Sequence, residues 1–375
     1  MLGALYASSL GVGLIFGFQP PLISFVLSRT GASNFAIGAV TAVSLIAVIL
    51  LGPVYPRAIG RLGLKVSIVL GVVAAAVLLL LMALDRRVTV WLCLRFLSGC
   101  VLGLAWISSE IWMNVASDDE SRGAVMGIYG TVFSIGVVSG PMLLELTGTH
   151  GREPFVCGAL CLLLTLLPLA LLRTVKAPAG PAAPLAGLIG VVRLAPVVML
   201  AALVAGLVES ADLALLPLFG LHSGLSERGS LLLLTVFMIG NVVLQTPIGL
   251  LADRFGRRTL LGYCAVSSAV GPLLLPACID TPALLGPLLF LWGGTLYAFY
   301  SLGIALLGEE FQASELAAAN TAFVIVYCAG GVIGPAVGGL AMDLWPHGGL
   351  PMVLSAAPIA LLARLLLVRQ EAKLD

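Results

Sequence analysis

Twelve apolar runs follow one another along the chain, separated by short clusters of charge, Gly and Pro. A helix needs about 20 apolar residues to cross the hydrocarbon core of a bilayer, and each run is close to that length. The windows predict helices near 3–28, 35–56, 66–84, 88–115, 122–147 and 153–173. Six more are predicted near 195–220, 229–251, 259–279, 282–307, 316–343 and 350–368. Between the two sets lies TVKAPAGPAAPLAGLIGVVRL, rich in Pro, Ala and Gly, which reads as a linker ending in a short amphipathic piece. The pattern predicts an all-α membrane protein with residues 1–173 and 195–375 as six-helix bundles and 174–194 as the connection. The first run is about as long as a full span and is followed by more of the same, so it is expected to be retained rather than cleaved as a signal peptide.

Composition agrees. Of 375 residues, 60% are hydrophobic and only 10% charged, against roughly 25% charged in ordinary soluble domains. A mean hydropathy of +1.13 is too high for a soluble core that must be wetted on its surface. The net charge of +1 gives no electrostatic case for nucleic acid. The seven Cys fall in or beside apolar runs without a C-x-x-C pair, and read as free thiols that pack as small apolar side chains. Cys157 and Cys161 share a helix face and are the exception to watch.

An even number of spans puts both termini on one side. Loops on that side carry Arg57, Arg61, Lys65, Arg122, Arg173, Lys176, Arg193, Arg254, Arg257 and Arg258, with Arg364, Arg369 and Lys373 near the C-terminus. The other side carries only Arg29, Arg86, Arg87, Arg152 and Arg228. The positive-inside rule predicts cytoplasmic termini.

The halves resemble each other at an offset near 193 residues: GRLGLK (Gly60 to Lys65) aligns with DRFGRR (Asp253 to Arg258), and GVVSGP (Gly136 to Pro141) with GGVIGP ending at Pro335. Two such halves are a transporter architecture, with substrate bound at the midplane between them. PIGLLADRFGRR (Pro247 to Arg258) resembles the loop signature G-x-L-A-D-R-x-G-R-R/K of the major facilitator superfamily. Arg95, Gly99 and Gly103 resemble its fourth-span motif. Gly136, Gly140 and Pro141, and Gly330, Gly334, Pro335, Gly338 and Gly339, resemble a G-x-x-x-G-P motif associated with exporters. SSEIWMN, the LADRFGR loop and GGTLYAFY are similar to small bacterial members of poorly defined substrate. The resemblance covers the whole chain and implies two pseudo-symmetric bundles. One departure stands out: the first-half loop has Gly60 where the signature has Asp, while the second half keeps Asp253.

The candidate chemistry is sparse. Glu209 and Asp212, three apart near the middle of span seven, share a helix face, and two carboxyls in low dielectric suit proton carriage. Glu110, one turn after Trp106 in span four, and Arg95 are further proton-coupling candidates; for Glu110 an interfacial charge at a helix end is the plainer reading. Arg95 is an intramembrane charge, a functional hypothesis by default that competes with a structural Arg bonded to carbonyls. Spans one, four, seven and ten line the cavity in the family resembled, which makes Phe16, Phe18, Gln19, Trp106, Tyr297 and Tyr300 cavity candidates. Aromatics with few polar groups suit a lipophilic or amphipathic substrate, although packing alone explains any single ring. The loop residues Arg57, Arg61, Lys65, Asp253, Arg254, Gly256, Arg257 and Arg258 are candidates for a cytoplasmic gate. The resemblance implies that each basic loop sits beside the acids of the other half, those before span five (Asp118, Asp119, Glu120) and span eleven (Glu309, Glu310, Glu315). The glycine-proline motifs read as close helix packing at the seam.

Exclusions narrow the reading. There is no G-x-x-x-x-G-K-S/T loop, no metal-ligand cluster and no nucleophile–base pair, so neither ATP hydrolysis nor enzymatic chemistry nor a cofactor is expected. His150, His222 and His347 all map to the outer side, so an intramembrane His relay is absent. The resulting expectation is a monomeric secondary transporter in a bacterial cytoplasmic membrane, exporting a small lipophilic or amphipathic molecule against protons. Its rivals are a proton-coupled importer of a metabolite and a non-transporting receptor or assembly factor on the same fold.

Overall fold

The structure, a computed structural model, describes residues 2–117, 122–170, 172 and 185–374. Among these residues all regular structure is helical. Asp118, Asp119 and Glu120, offered above as gate acids, lie outside them, as does most of the expected linker.

Twelve helices are long and apolar enough to cross a membrane. The first six spans are built from α1 (Leu2–Ser28), α2 (Asn34–Leu51), α4 (Leu64–Met82), α5 (Val88–Val115), α6 (Arg122–Thr147) and the pair α7 (Glu153–Leu164) and α8 (Leu166–Ala170). The short α3 (Tyr55–Leu62) precedes α4. A short helix, α9 (Leu185–Leu194), stands at the end of the expected linker. Then come α10 (Pro196–His222), α11 (Glu227–Phe255), α12 (Arg257–Cys278), α13 (Pro282–Glu310), α14 (Ala313–Leu344) and α15 (Gly349–Leu374).

Two expected spans are interrupted. The run expected at 35–56 ends at Leu51, because Gly52 and Pro53 turn the chain before α3 begins. The sixth breaks at Thr165, whose hydroxyl donates to the carbonyl of Leu162 at 2.6 Å and so competes with the regular ladder. All seven cysteines are free, Cys157 and Cys161 included.

The chain divides into two compact units, residues 1–32 with 43–182, and residues 33–42 with 183–375. The division passes through α2, whose first turns belong to unit 2. There Asp343 of α14 caps the start of α2: its carboxylate accepts from Asn34 N at 2.8 Å, Asn34 Nδ2 at 2.9 Å and Phe35 N at 2.9 Å. A carboxylate at a helix N-terminus satisfies orphan amides and meets the positive end of the dipole.

Glycine-mediated helix pairs lock each unit, and the pair that carries the glycine-proline motif matches between the two. In unit 1, a Cβ on Gly136 would collide with the carbonyl of Leu10, and one on Gly140 would meet that of Leu14 at 2.7 Å, so α1 and α6 touch backbone to backbone. In unit 2, Gly330 and Gly334 meet the carbonyls of Leu203 and Leu207 in the same way, joining α10 to α14. Such close approach is what small residues at i and i+4 permit. Pro141 and Pro335 follow these glycines inside continuous helices. The contacts fix the register of the internal repeat: Leu10 answers to Leu203 and Leu14 to Leu207, an offset of 193, while Gly136 answers to Gly330, an offset of 194.

The loop signatures share a backbone device. Gly63 (φ +82°) ends α3 and starts α4, and Gly256 (φ +88°) ends α11 and starts α12. A positive φ is readily adopted only by glycine, which explains the residue at both turns.

Candidate functional site

In unit 2, α10 brings Glu209 and Asp212 to one face. The Tyr327 hydroxyl on α14 donates to Glu209 Oε2 at 2.6 Å, and Tyr297 on α13 is a second hydroxyl donor facing the same carboxylate. Tyr300 stands edge-on to Tyr327 and to Phe323, with ring centroids 5.2 and 5.3 Å apart. Glu209 is half-buried, as are Tyr297, Tyr300 and Tyr327. Asp212 differs sharply: it is 0% exposed, and neither carboxylate oxygen has a hydrogen-bond partner. Buried polar groups are normally satisfied, so this exception calls for an explanation.

In unit 1, Phe16 on α1 meets Trp106 on α5 edge-on at 5.9 Å and Phe133 on α6 at 5.7 Å. Tyr129 stacks beside Phe133 at 6.4 Å. Glu110 lies one turn from Trp106, whose indole N–H is the side-chain donor facing its carboxylate. Phe16, Trp106, Phe133 and Glu110 are each half-buried, and among the described residues no ion pair involves Glu110. Phe18 does not join the ring cluster. It is fully buried and turned toward Gly158 on α7, as part of the core of unit 1.

Arg95 is 5% exposed. It donates through NH1 to Gln19 Oε1 and through NH2 to Ser44 Oγ at 2.9 Å, while its Nε and Gln19 Nε2 have no partner. Its acceptors are thus side-chain oxygens of α1 and α2 rather than the carbonyls of a neighbouring helix. Glu110 stands fifteen residues further along α5, about 22 Å at 1.5 Å per residue, too far to neutralise Arg95.

The signature loop of unit 2 is held within its own unit. Arg257 donates to Glu309 at 2.7 Å and to the carbonyl of Ala305 at 3.2 Å, with Asp253 a longer 3.5 Å away. Arg258 donates to Glu310 at 2.7 Å. Glu309 and Glu310 are the last residues of α13. Arg254 lies over the Phe255 ring at 5.5 Å. In unit 1 the loop relies on neutral acceptors: Lys65 donates to the carbonyls of Ala170 and Leu172, and Arg57 to that of Pro53 at 3.0 Å. Arg61 is exposed, and the space around Gly60 is open, with nothing within 4 Å of a built Cβ. A shallow cavity of about 290 Å³, lined by Gln245, Asp253, Arg257 and Ser301 among others, sits beside the unit 2 loop and apart from Glu209 and Asp212.

Sequence reasoning missed four ring residues, Tyr129, Phe133, Phe323 and Tyr327, because it searched spans one, four, seven and ten. A signal was present: Phe133 and Tyr327 each precede the first glycine of a glycine-proline motif, Gly136 and Gly330, by three residues, and so lie on the same helix face.

Twelve helices long and apolar enough to cross a membrane among the described residues, and an internal repeat locked by matching glycine pairs, are the architecture of a polytopic membrane protein built from two similar halves, as transporters are. The family model described as Major Facilitator Superfamily matches residues 5–234 and 199–374, and the chain belongs to that superfamily of transporters. Similar proteins include the uncharacterized MFS-type transporter YfkF of Bacillus subtilis (strain 168), 26% identical over 346 residues covering 90% of this chain and 88% of that one. The uncharacterized MFS-type transporter YcaD of Shigella flexneri is 24% identical over 279 residues, 74% of this chain and 72% of that one. Among solved structures, the nucleoside transporter NupG superposes with a TM-score of 0.79 at 16% identity over 97% of this chain and 98% of its own. A D-xylose–proton symporter gives 0.77 at 15% identity over 97% of both chains. At these identities the structures establish the twelve-helix fold.

Proposed function

We propose that the chain is a proton-coupled exporter of a small lipophilic or amphipathic molecule, working by alternating access in a bacterial inner membrane with both termini cytoplasmic. The observation that carries the coupling is Asp212, wholly buried and without a donor, one turn from Glu209, which has two tyrosine donors. An ionised carboxylate without a partner is very costly in such a place, so Asp212 rests there with its proton on. Glu209, with hydroxyls already aimed at it, is the neighbour able to bear charge when the proton moves. Two acids whose surroundings differ this much can divide one proton between them. Export and a lipophilic or amphipathic cargo are supported by the glycine-proline pairs and by the ring clusters with few polar groups.

The test is flux into proteoliposomes under an imposed pH gradient, using three labelled probes: cationic tetraphenylphosphonium, anionic tetraphenylborate and neutral chloramphenicol. At least one should accumulate in a gradient-dependent way. Glu209→Gln with Asp212→Asn should cut that accumulation at least about tenfold, as expected when an essential proton site is lost, while the protein still inserts and elutes as a folded species. Gradient-driven flux that survives the double substitution would overturn the proposal.

A further inference from the structure

Unit 1 holds an acid that the coupling pair does not use. Glu110 sits half-buried on α5 with no basic partner among the described residues, and Arg95 is too far along the helix to supply one. Trp106 faces it, and from Trp106 the rings of Phe16 and then Phe133 follow in turn. Phe16 and Phe133 carry no hydrogen-bond donor, and among the described residues the Trp106 N–H is the side-chain donor that faces the carboxylate. Ring faces are electron-rich, and the carboxylate adds a full negative charge. The whole surface therefore offers negative potential and apolar area together.

We propose that this surface, Glu110 with Trp106, Phe16 and Phe133, binds the charged centre of a monovalent organic cation. The rings take its apolar substituents, and the carboxylate takes its charge. Inorganic cations do not fit: they require several oxygen ligands, and no cluster of three or more His, Cys, Asp or Glu exists among the described residues. Anions are repelled by the same groups. A neutral amphiphile would use the rings and leave Glu110 without a role. Unit 2 has the opposite character, since Tyr327 and Tyr297 turn their hydroxyls onto Glu209 and satisfy that acid from within the protein. The inference rests on the transport reading and names the charge class of its cargo.

The experiment is scintillation-proximity binding of radiolabelled tetraphenylphosphonium to the purified full-length protein, with tetraphenylborate as a competitor of matching shape and opposite charge. The expected result is saturable binding displaced by unlabelled tetraphenylphosphonium and not by tetraphenylborate. Glu110→Gln should weaken it at least about tenfold, and Phe16→Leu by a smaller factor, as expected for loss of a charge and of one ring face. Glu110→Asp should retain more affinity than Glu110→Gln. If Glu110→Gln fails to elute as a folded species, the wild type decides: binding should weaken as pH falls and the carboxylate gains a proton. Absence of saturable binding, displacement by tetraphenylborate, or unchanged affinity in a folded Glu110→Gln variant overturns the inference; so does pH-independent binding by the wild type. A wild type that binds no cation yet drives chloramphenicol along a proton gradient would end this inference and leave the transport reading standing. Cation binding at Glu110 without gradient-driven flux would do the reverse.

Discussion

Where α1 carries Phe16, α10 carries Glu209, and where α1 carries Gln19, α10 carries Asp212; the glycine contacts set this register. On the helices offset by 194, Phe133 answers to Tyr327, Tyr129 to Phe323 and Trp106 to Tyr300. The same four-position cluster thus occurs in both units with different chemistry. Unit 1 fills it with three rings and Trp106 and takes its acid from Glu110, where unit 2 has Ile304. Unit 2 fills it with Glu209, two tyrosines and Phe323. The second contrast lies one turn away. Gln19 pairs with the buried Arg95, but at the position of Arg95 unit 2 has Leu289, so Asp212 meets no base. Duplicated scaffolds leave the backbone locks intact and vary the side chains between them. Taken with the two proposals above, the contrast amounts to a proposed division of labour, in which unit 2 handles the proton and unit 1 the cargo's charge.

The largest effect that could break this comparison comes from hydroxyls. Tyr327→Phe removes the 2.6 Å donor from Glu209. A hydrogen bond to a charged group is worth about 1.5–3 kcal/mol, so gradient-driven flux should fall by roughly tenfold or more. The matched change in unit 1, Phe133→Tyr, should leave coupling within about twofold, since the proposed coupling pair, Glu209 and Asp212, lies in unit 2. Equal losses in both variants, measured as initial rates under one pH gradient, would erase the distinction.

A smaller effect separates the loops. In unit 2, Asp253 lies beside a network of Arg257 and Arg258 with Glu309 and Glu310, whereas unit 1 has Gly60 and neutral carbonyl acceptors. Exposed pairs contribute about 0–1 kcal/mol each, so the bias on two conformations is modest. Our gate proposal expects Asp253→Asn to raise, and Gly60→Asp to lower, the rate at which an aqueous thiol reagent labels a reporter Cys on the terminal side. The open space at Gly60 admits the added side chain. No change in either variant would remove the loops from the account.

The fold was legible because span length and apolar composition are imposed by the bilayer rather than by local propensity. α5 and α6 start and end where the apolar windows do. The windows failed where backbone chemistry overrides apolarity, at Gly52–Pro53 after α2 and at Thr165 between α7 and α8. Of the site, the acids and the rings on α1, α5 and α13 were visible as unusual residues in apolar runs. Tyr327 and Phe133 were not, because their value depends on which neighbour they face, and that follows from the glycine register. Nor could the sequence distinguish Glu209 from Asp212. Their difference is one of donors within reach, which only packing decides.

The division of labour is tested most directly by counterflow of labelled tetraphenylphosphonium through proteoliposomes holding the Glu209→Gln, Asp212→Asn variant. Counterflow exchanges cargo for cargo and needs no proton movement. The account predicts exchange close to that of the wild type, together with loss of accumulation under a pH gradient, while Glu110→Gln weakens exchange at low probe concentration. Loss of exchange in the double variant, or full exchange at low probe concentration with Glu110→Gln, would contradict it.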